Sequence, residues 1–190
     1  MKQLYAFPMR SGLALLVKIN LMTQQTIKST NDDHRIAKLA AVAIILSMIE
    51  FFFPSPIPGV KPGIANIITL YALISFNFYT AFWVSIIRLF ISSILLGSFL
   101  SPTFFLSFLG GISSLLILFL LKNLYGKFFG VISLSLWASF AHIIGQFILV
   151  RLWIVPDDGI YTLLPFFLLS ALIFGVINGF ITFLLLKQKK

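Results

Sequence analysis

Residues 103–121 read TFFLSFLGGISSLLILFLL, nineteen residues without a charge, preceded by Pro102 and closed by Lys122. A helix of that length rises roughly 28 Å, close to the hydrocarbon thickness of a bilayer, about 30 Å. The stretch predicts a transmembrane helix. Working outward, the same pattern repeats on both sides. Upstream lie apolar segments at 36–53, 63–76 and 79–97, and downstream at 128–150 and 161–186. Between the first two, three prolines within five residues, Pro54, Pro56 and Pro58, cannot continue a helix. The predicted fold is all-α: a polytopic integral membrane protein with a bundle of about six transmembrane helices.

The composition agrees. Hydrophobic residues make up 59% of the 190-residue chain and charged residues 10%, where a soluble domain carries about 25% charged residues. A soluble protein of this size has too high a surface-to-volume ratio to hide so much apolar surface. The chain has no Cys, which excludes disulfides, thiolate metal sites and Cys nucleophiles. Two His and five acids argue against a dedicated metal site, so neither metal nor cofactor is expected. A net charge of +9 would suggest nucleic acid in a soluble domain. Here the basic residues sit at the edges of apolar runs, the pattern of a protein facing an anionic leaflet. Membrane lipid is the expected partner, and nucleic acid is not.

Three regions follow. Residues 1–35 form a basic N-terminal tail, within which Met22 is a candidate alternative start and the apolar run 12–17 is too short to span. Residues 36–186 form the transmembrane domain, and 187–190 a basic C-terminus. With the N-terminus inside, the cytoplasmic segments hold eleven of the fourteen Lys and Arg, including Arg35, Lys38, Lys122, Lys127 and Lys187. Lys61 and Arg151 fall outside, and Arg88 lies within the third span. This positive-inside bias predicts an even number of spans and both termini on the cytoplasmic side of the inner membrane.

Ionisable and amide side chains within spans are costly and point to function by default. Glu50 closes the first span, Lys61 sits in the loop after it, and Asn66 opens the second. Arg88 is mid-span in the third, and His142 and Gln146 share one face of the fifth. These residues come from four segments and converge on the outer half, which predicts a polar cavity open to the outside. Arg88 suits a carboxylate or phosphate through two parallel hydrogen bonds. His142 donates, accepts or changes charge near neutral pH. Asn66 and Gln146 orient a ligand without charge, and Glu50 suits an amine. A structural reading stands beside this one: Glu50 and Arg88 neutralise each other, and Asn66 and Gln146 bridge helices. Other features read as packing. Gly175 and Gly179 form a small-xxx-small site in the sixth span, and Gly110 and Gly111 do the same in the fourth. Ala37 and Ala41, four apart, make a smooth stripe on which a neighbouring helix or partner protein docks.

Several stretches resemble a known family. They are Ile49-Glu50, Pro54-Ser55-Pro56, Pro58-Gly59-Val60-Lys61-Pro62-Gly63-Ile64-Ala65-Asn66, Arg88 with Leu95-Leu96-Gly97, Ser107-Phe108-Leu109-Gly110-Gly111, and Ala141-His142-Ile143-Ile144-Gly145-Gln146. The resemblance is to the Gx transporter family, also labelled heptaprenyl diphosphate synthase component I, over 36–186. That family is similar in size and layout to the substrate-binding S components of energy-coupling factor transporters. The resemblance implies a ligand site toward the outer face, capped by the loop 54–62. It also implies docking of Ala37 and Ala41 onto a transmembrane coupling protein, although Lys38 and Leu39 lie between them. The expected function is capture of a small anionic or zwitterionic solute or a lipid-like ligand. The alternative is an accessory component of prenyl diphosphate synthesis. Catalysis by this chain is not expected: the pairs Asp32-Asp33 and Asp157-Asp158 lack the third acid of a diphosphate-binding Asp motif. No Gly-Lys-Ser/Thr phosphate loop is present, so any driving ATPase is another protein.

Overall fold

Six helices follow one another in the computed structural model, which describes residues 30–52, 63–155 and 157–188. They are α1 (Asn31–Phe52), α2 (Asn66–Ser75), α3 (Phe78–Leu95), α4 (Pro102–Leu121), α5 (Val131–Leu149) and α6 (Leu164–Gln188). No strand forms among the described residues. The described residues from Asp32 onward belong to one packed unit.

Local chemistry sets the helix starts. Asp32 and Asp33 occupy the first turn of α1, where carboxylates complement the helix dipole, and Asp32 pairs with Arg35 at 3.0 Å. The helix therefore begins at Asn31, five residues before the start expected from hydropathy. Asn77 caps α3 by accepting the Thr80 N–H at 2.8 Å. Ser101 caps α4, and Pro102 follows it, at the helix start where its missing N–H is harmless. Gly63 lies in the left-handed region, at φ 68°. Its carbonyl accepts the Asn66 N–H at 2.9 Å, so a turn precedes α2 and the helix starts at Asn66. At the far end α5 passes into a π-turn, Val150–Ile154, and a 3₁₀ turn, Asp158–Leu163, leads into α6.

Four stretches are long and apolar enough to cross a membrane: Phe78–Leu95, Pro102–Leu124, Val131–Ile154 and Asp158–Gln188. The ten residues of α2 rise only roughly 15 Å, half a hydrocarbon core. α1 has the length, at 22 residues, but carries Asp32, Asp33, Arg35, Lys38 and Glu50. The expected six-helix bundle is present, with four helices meeting the requirement for a full crossing. Its outer face bears large apolar side chains, among them Leu116, Leu152, Phe166 and Phe180, as a lipid-facing surface requires.

Neighbouring helices run in alternating directions, so the bundle has two ends. Lys38, Lys122, Lys127 and Lys187 mark one, the basic end. There Leu70, Leu73, Leu118 and Leu134 build an apolar core from α2, α4 and α5. Ile36 and Ala43 of α1 pack on Ile68 and Val84. Tight helix contacts rest on glycine. A Cβ on Gly179 would lie 2.8 Å from the Ile132 Cα, and one on Gly175 would lie 3.1 Å from the Ser139 hydroxyl. These distances bring α5 and α6 backbone to backbone. A Cβ on Gly111 would meet Leu89 of α3 at 2.9 Å. The opposite end holds the 96–101 loop and the turns after α5. The polar residues gather there.

Candidate functional site: a polar chamber beside an apolar cavity

α3 builds the centre of the site. Ser85, Arg88 and Ser92 are all buried and recur at helical spacing, so they share one face. Arg88 is 6% exposed. Its Nη2 donates to the Asn66 Oδ1 of α2 at 3.0 Å. Its Nε has no hydrogen-bond partner among the described residues. The Ser92 and Ser93 hydroxyls donate to the carbonyls of Arg88 and Phe90, which satisfies them within their own helix.

Arg88 faces a chamber of about 90 Å³ whose walls come from α1, α3, α4 and α5. α1 supplies Ser47, Glu50 and Phe51; α4 supplies Thr103, Phe104 and Ser107; α5 supplies His142 and Gln146. The 96–101 loop adds Leu96 and Ser98. This loop is tightly folded, with Gly97 at φ 65° and Leu100 at φ 60°. Among the described lining residues Arg88 is the one Arg or Lys and Glu50 the one carboxylate. A buried cation with a carboxylate, hydroxyls, an imidazole and an amide around it can receive a zwitterion or a compact anion.

His142 is set by Gly110. A Cβ at that glycine would lie 2.8 Å from the His142 Nε2 and 2.9 Å from the Gln146 Cγ. Only glycine lets both side chains of α5 press against α4. A Cβ on Gly145 would lie 2.2 Å from the Ser113 hydroxyl, so α5 approaches α4 closely one turn along as well. The His142 Nδ1 is buried and has no partner among the described residues.

Glu50 plays a second part. Its carboxylate accepts the Gly63 N–H, while the Gly63 carbonyl accepts from the Asn178 Nδ2 of α6 at 3.3 Å. α1 and α6 thus grip the residue that opens the turn into α2. Thr182 in turn donates to the Asn178 carbonyl at 2.8 Å.

Of the residues singled out in the sequence, Glu50, Arg88, His142 and Gln146 line one chamber. Asn66 joins them through Arg88 and also lines a small neighbouring cavity with His142. Lys61 and the proline-rich loop 54–62 lie outside the described residues. Ala37 and Ala41 are exposed on α1, on the side away from the buried Ile36, Ala40 and Ala43. Sequence reasoning missed Ser47, Ser92, Thr103 and Phe51. A signal existed for two of them: Ser92 lies four residues from Arg88 and Ser47 three from Glu50, so each shares its partner's helix face. Asn178, between the packing glycines Gly175 and Gly179, holds Gly63. No three His, Cys, Asp or Glu side chains gather as a metal site among the described residues.

A second, larger cavity of about 510 Å³ abuts the chamber and shares Phe51, Thr103, Ser107 and Gln146 with it. The rest of its wall is largely apolar and includes Leu106, Ile143, Phe147, Val150, Leu163 and Phe167.

A family model matches residues 39–185, most of the chain and all of the chamber. The chain belongs to the heptaprenyl diphosphate synthase component I family. The family's description names a component of a synthase, and its matched region takes in Glu50, Asn66, Arg88, His142 and Gln146. No curated protein and no solved structure matched the chain.

Proposed function

We propose that this family member is a solute-binding membrane subunit that captures a small anionic or zwitterionic ligand, or a lipid-like one, in the Arg88 chamber. The observation that carries the reading is the Arg88 guanidinium. It is buried and tethered on one side by Asn66, with its Nε left without a partner among the described residues, beside a cavity. An unsatisfied buried donor costs about 1–3 kcal/mol, and more on a charged group. An anionic ligand removes that cost. The positive-inside bias supports a chamber on the outer side of the inner membrane, with both termini cytoplasmic. In this reading the exposed Ala37 and Ala41 face a transmembrane coupling protein, and an ATPase in another chain supplies energy. Replacing Arg88 with Ala should abolish binding of carboxylates and inorganic phosphate to the purified protein and leave it folded. Unchanged binding would sink the assigned site.

The family description favours a second reading, an accessory component of prenyl diphosphate synthesis that works beside a catalytic partner. Purified chain, with and without a partner synthase, would be incubated with Mg²⁺ and labelled prenyl diphosphates. A change in the partner's chain elongation supports this reading, and identical products reject it.

A further inference from the structure

Two cavities of opposite character meet at one wall. The chamber holds the guanidinium of Arg88, the carboxylate of Glu50, the imidazole of His142, the amide of Gln146 and several hydroxyls in about 90 Å³. That is well below the roughly 300–1,000 Å³ of a small-molecule site, and it fits a headgroup. The adjoining cavity, about 510 Å³, is within that range and is lined mainly by aliphatic and aromatic side chains. Polarity falls in one direction. Thr103, Ser107 and Gln146 stand where the two meet, and Phe147, Val150, Leu163 and Phe167 lie beyond. A fully polar solute would leave the larger space unused, and an apolar molecule would leave the Arg88 Nε without a partner.

We infer that the ligand is an amphiphile, with a compact carboxylate or phosphate head in the Arg88 chamber and an aliphatic chain in the cavity formed by Leu106, Ile143, Phe147, Val150, Leu163 and Phe167. This rests on the anion-binding reading above and deepens it by naming the ligand class. Arg88 holds the head through charge-assisted hydrogen bonds. Chain burial adds affinity in proportion to the apolar area removed from water.

The test uses the full chain in lipid nanodiscs, with empty discs subtracted. The probes are inorganic phosphate, butyl, octyl and dodecyl phosphate, the matching carboxylates, and dodecanol as a chain without a charge. Affinity is expected to rise by up to about fourfold per buried methylene and to level off once the cavity is full. Arg88→Gln weakens every phosphate and carboxylate and leaves dodecanol unmoved. Leu106→Trp, or the milder Val150→Phe, weakens dodecyl phosphate about tenfold more than butyl phosphate. Discs doped with phosphatidic acid separate two sources of the same chemistry. Displacement of the probe identifies a bilayer lipid as the occupant, and no displacement identifies a free amphiphile. Equal affinity along the series, with inorganic phosphate still weakened by Arg88→Gln, overturns the amphiphile and leaves the anion site standing. If no anion binds and Arg88→Gln changes nothing, both are overturned.

Discussion

Two buried polar groups lie close together in this bundle and are finished differently. Around Gly63 the bonds are made: the Glu50 carboxylate takes its N–H, and Asn178 donates to its carbonyl. Around Arg88 and His142 they are not, because the Arg88 Nε and the His142 Nδ1 are buried without partners among the described residues. Both groups sit within the matched family region, so position alone does not separate them. The difference lies in satisfaction. A completed set of hydrogen bonds holds helices in place. An incomplete set beside a cavity carries a standing cost that a ligand can remove. Glu50 belongs to both groups: its carboxylate accepts the Gly63 N–H, and it also lines the chamber.

That contrast can be broken most sharply at Arg88. Arg88→Ala is expected to weaken binding of inorganic phosphate or acetate roughly 10- to 150-fold, given roughly 1.5–3 kcal/mol for a hydrogen bond to a charged group. Equilibrium binding reads the loss, and an unshifted, monodisperse elution profile shows that the fold survives. Next comes Gly110→Ala. Its new methyl would press on His142 and Gln146, so a destabilisation of about 1–3 kcal/mol is expected, with ligand affinity falling as well. Thermal unfolding and binding on the same sample check both. A smaller effect is expected on the satisfied side. Asn178→Ala should cost about 1 kcal/mol, typical of an interhelical hydrogen bond, seen as a lower Tm with ligand affinity retained. If Asn178→Ala weakened binding as much as Arg88→Ala does, the division into a holding group and a binding group would collapse. The smallest effect is predicted outside both. Arg151 meets Asp158 at 2.6 Å, but the Asp158 side chain is 84% exposed. A double-mutant cycle with Arg151→Gln and Asp158→Asn, read by thermal unfolding, should return a coupling indistinguishable from zero.

Much of the fold was legible. The charge-free run 103–121 lies within α4, and the runs 79–97 and 128–150 correspond to α3 and α5 to within a few residues. The second apolar run was harder, because hydropathy does not register that Gly63 adopts a left-handed conformation and is followed by a turn. The outcome is a ten-residue α2. The start of α1 was missed for a similar reason: Asn31 to Arg35 are polar, yet Asp32 and Asp33 favour a helix N-terminus. In the site, Arg88, His142 and Gln146 stood out because charge and amide groups are rare within apolar helices. Ser47, Ser92 and Thr103 did not, since small hydroxyl residues are common in membrane helices and bond to their own backbone.

What the sequence determined by itself was the number, approximate extent and apolar character of the helices, and the identity of the polar residues among them. Those properties are local and nearly additive along the chain, so a one-dimensional reading recovers them. What only the tertiary structure decided was which polar atoms are satisfied. Asn66 reaches Arg88 across 22 positions of sequence, and Asn178 reaches Gly63 across 115. The chamber and its apolar neighbour are spaces between helices that no single segment encloses. Hydrogen bonding and cavity shape depend on ångström-scale placement of separate helices, and that placement is set by glycine contacts such as Gly110 against His142.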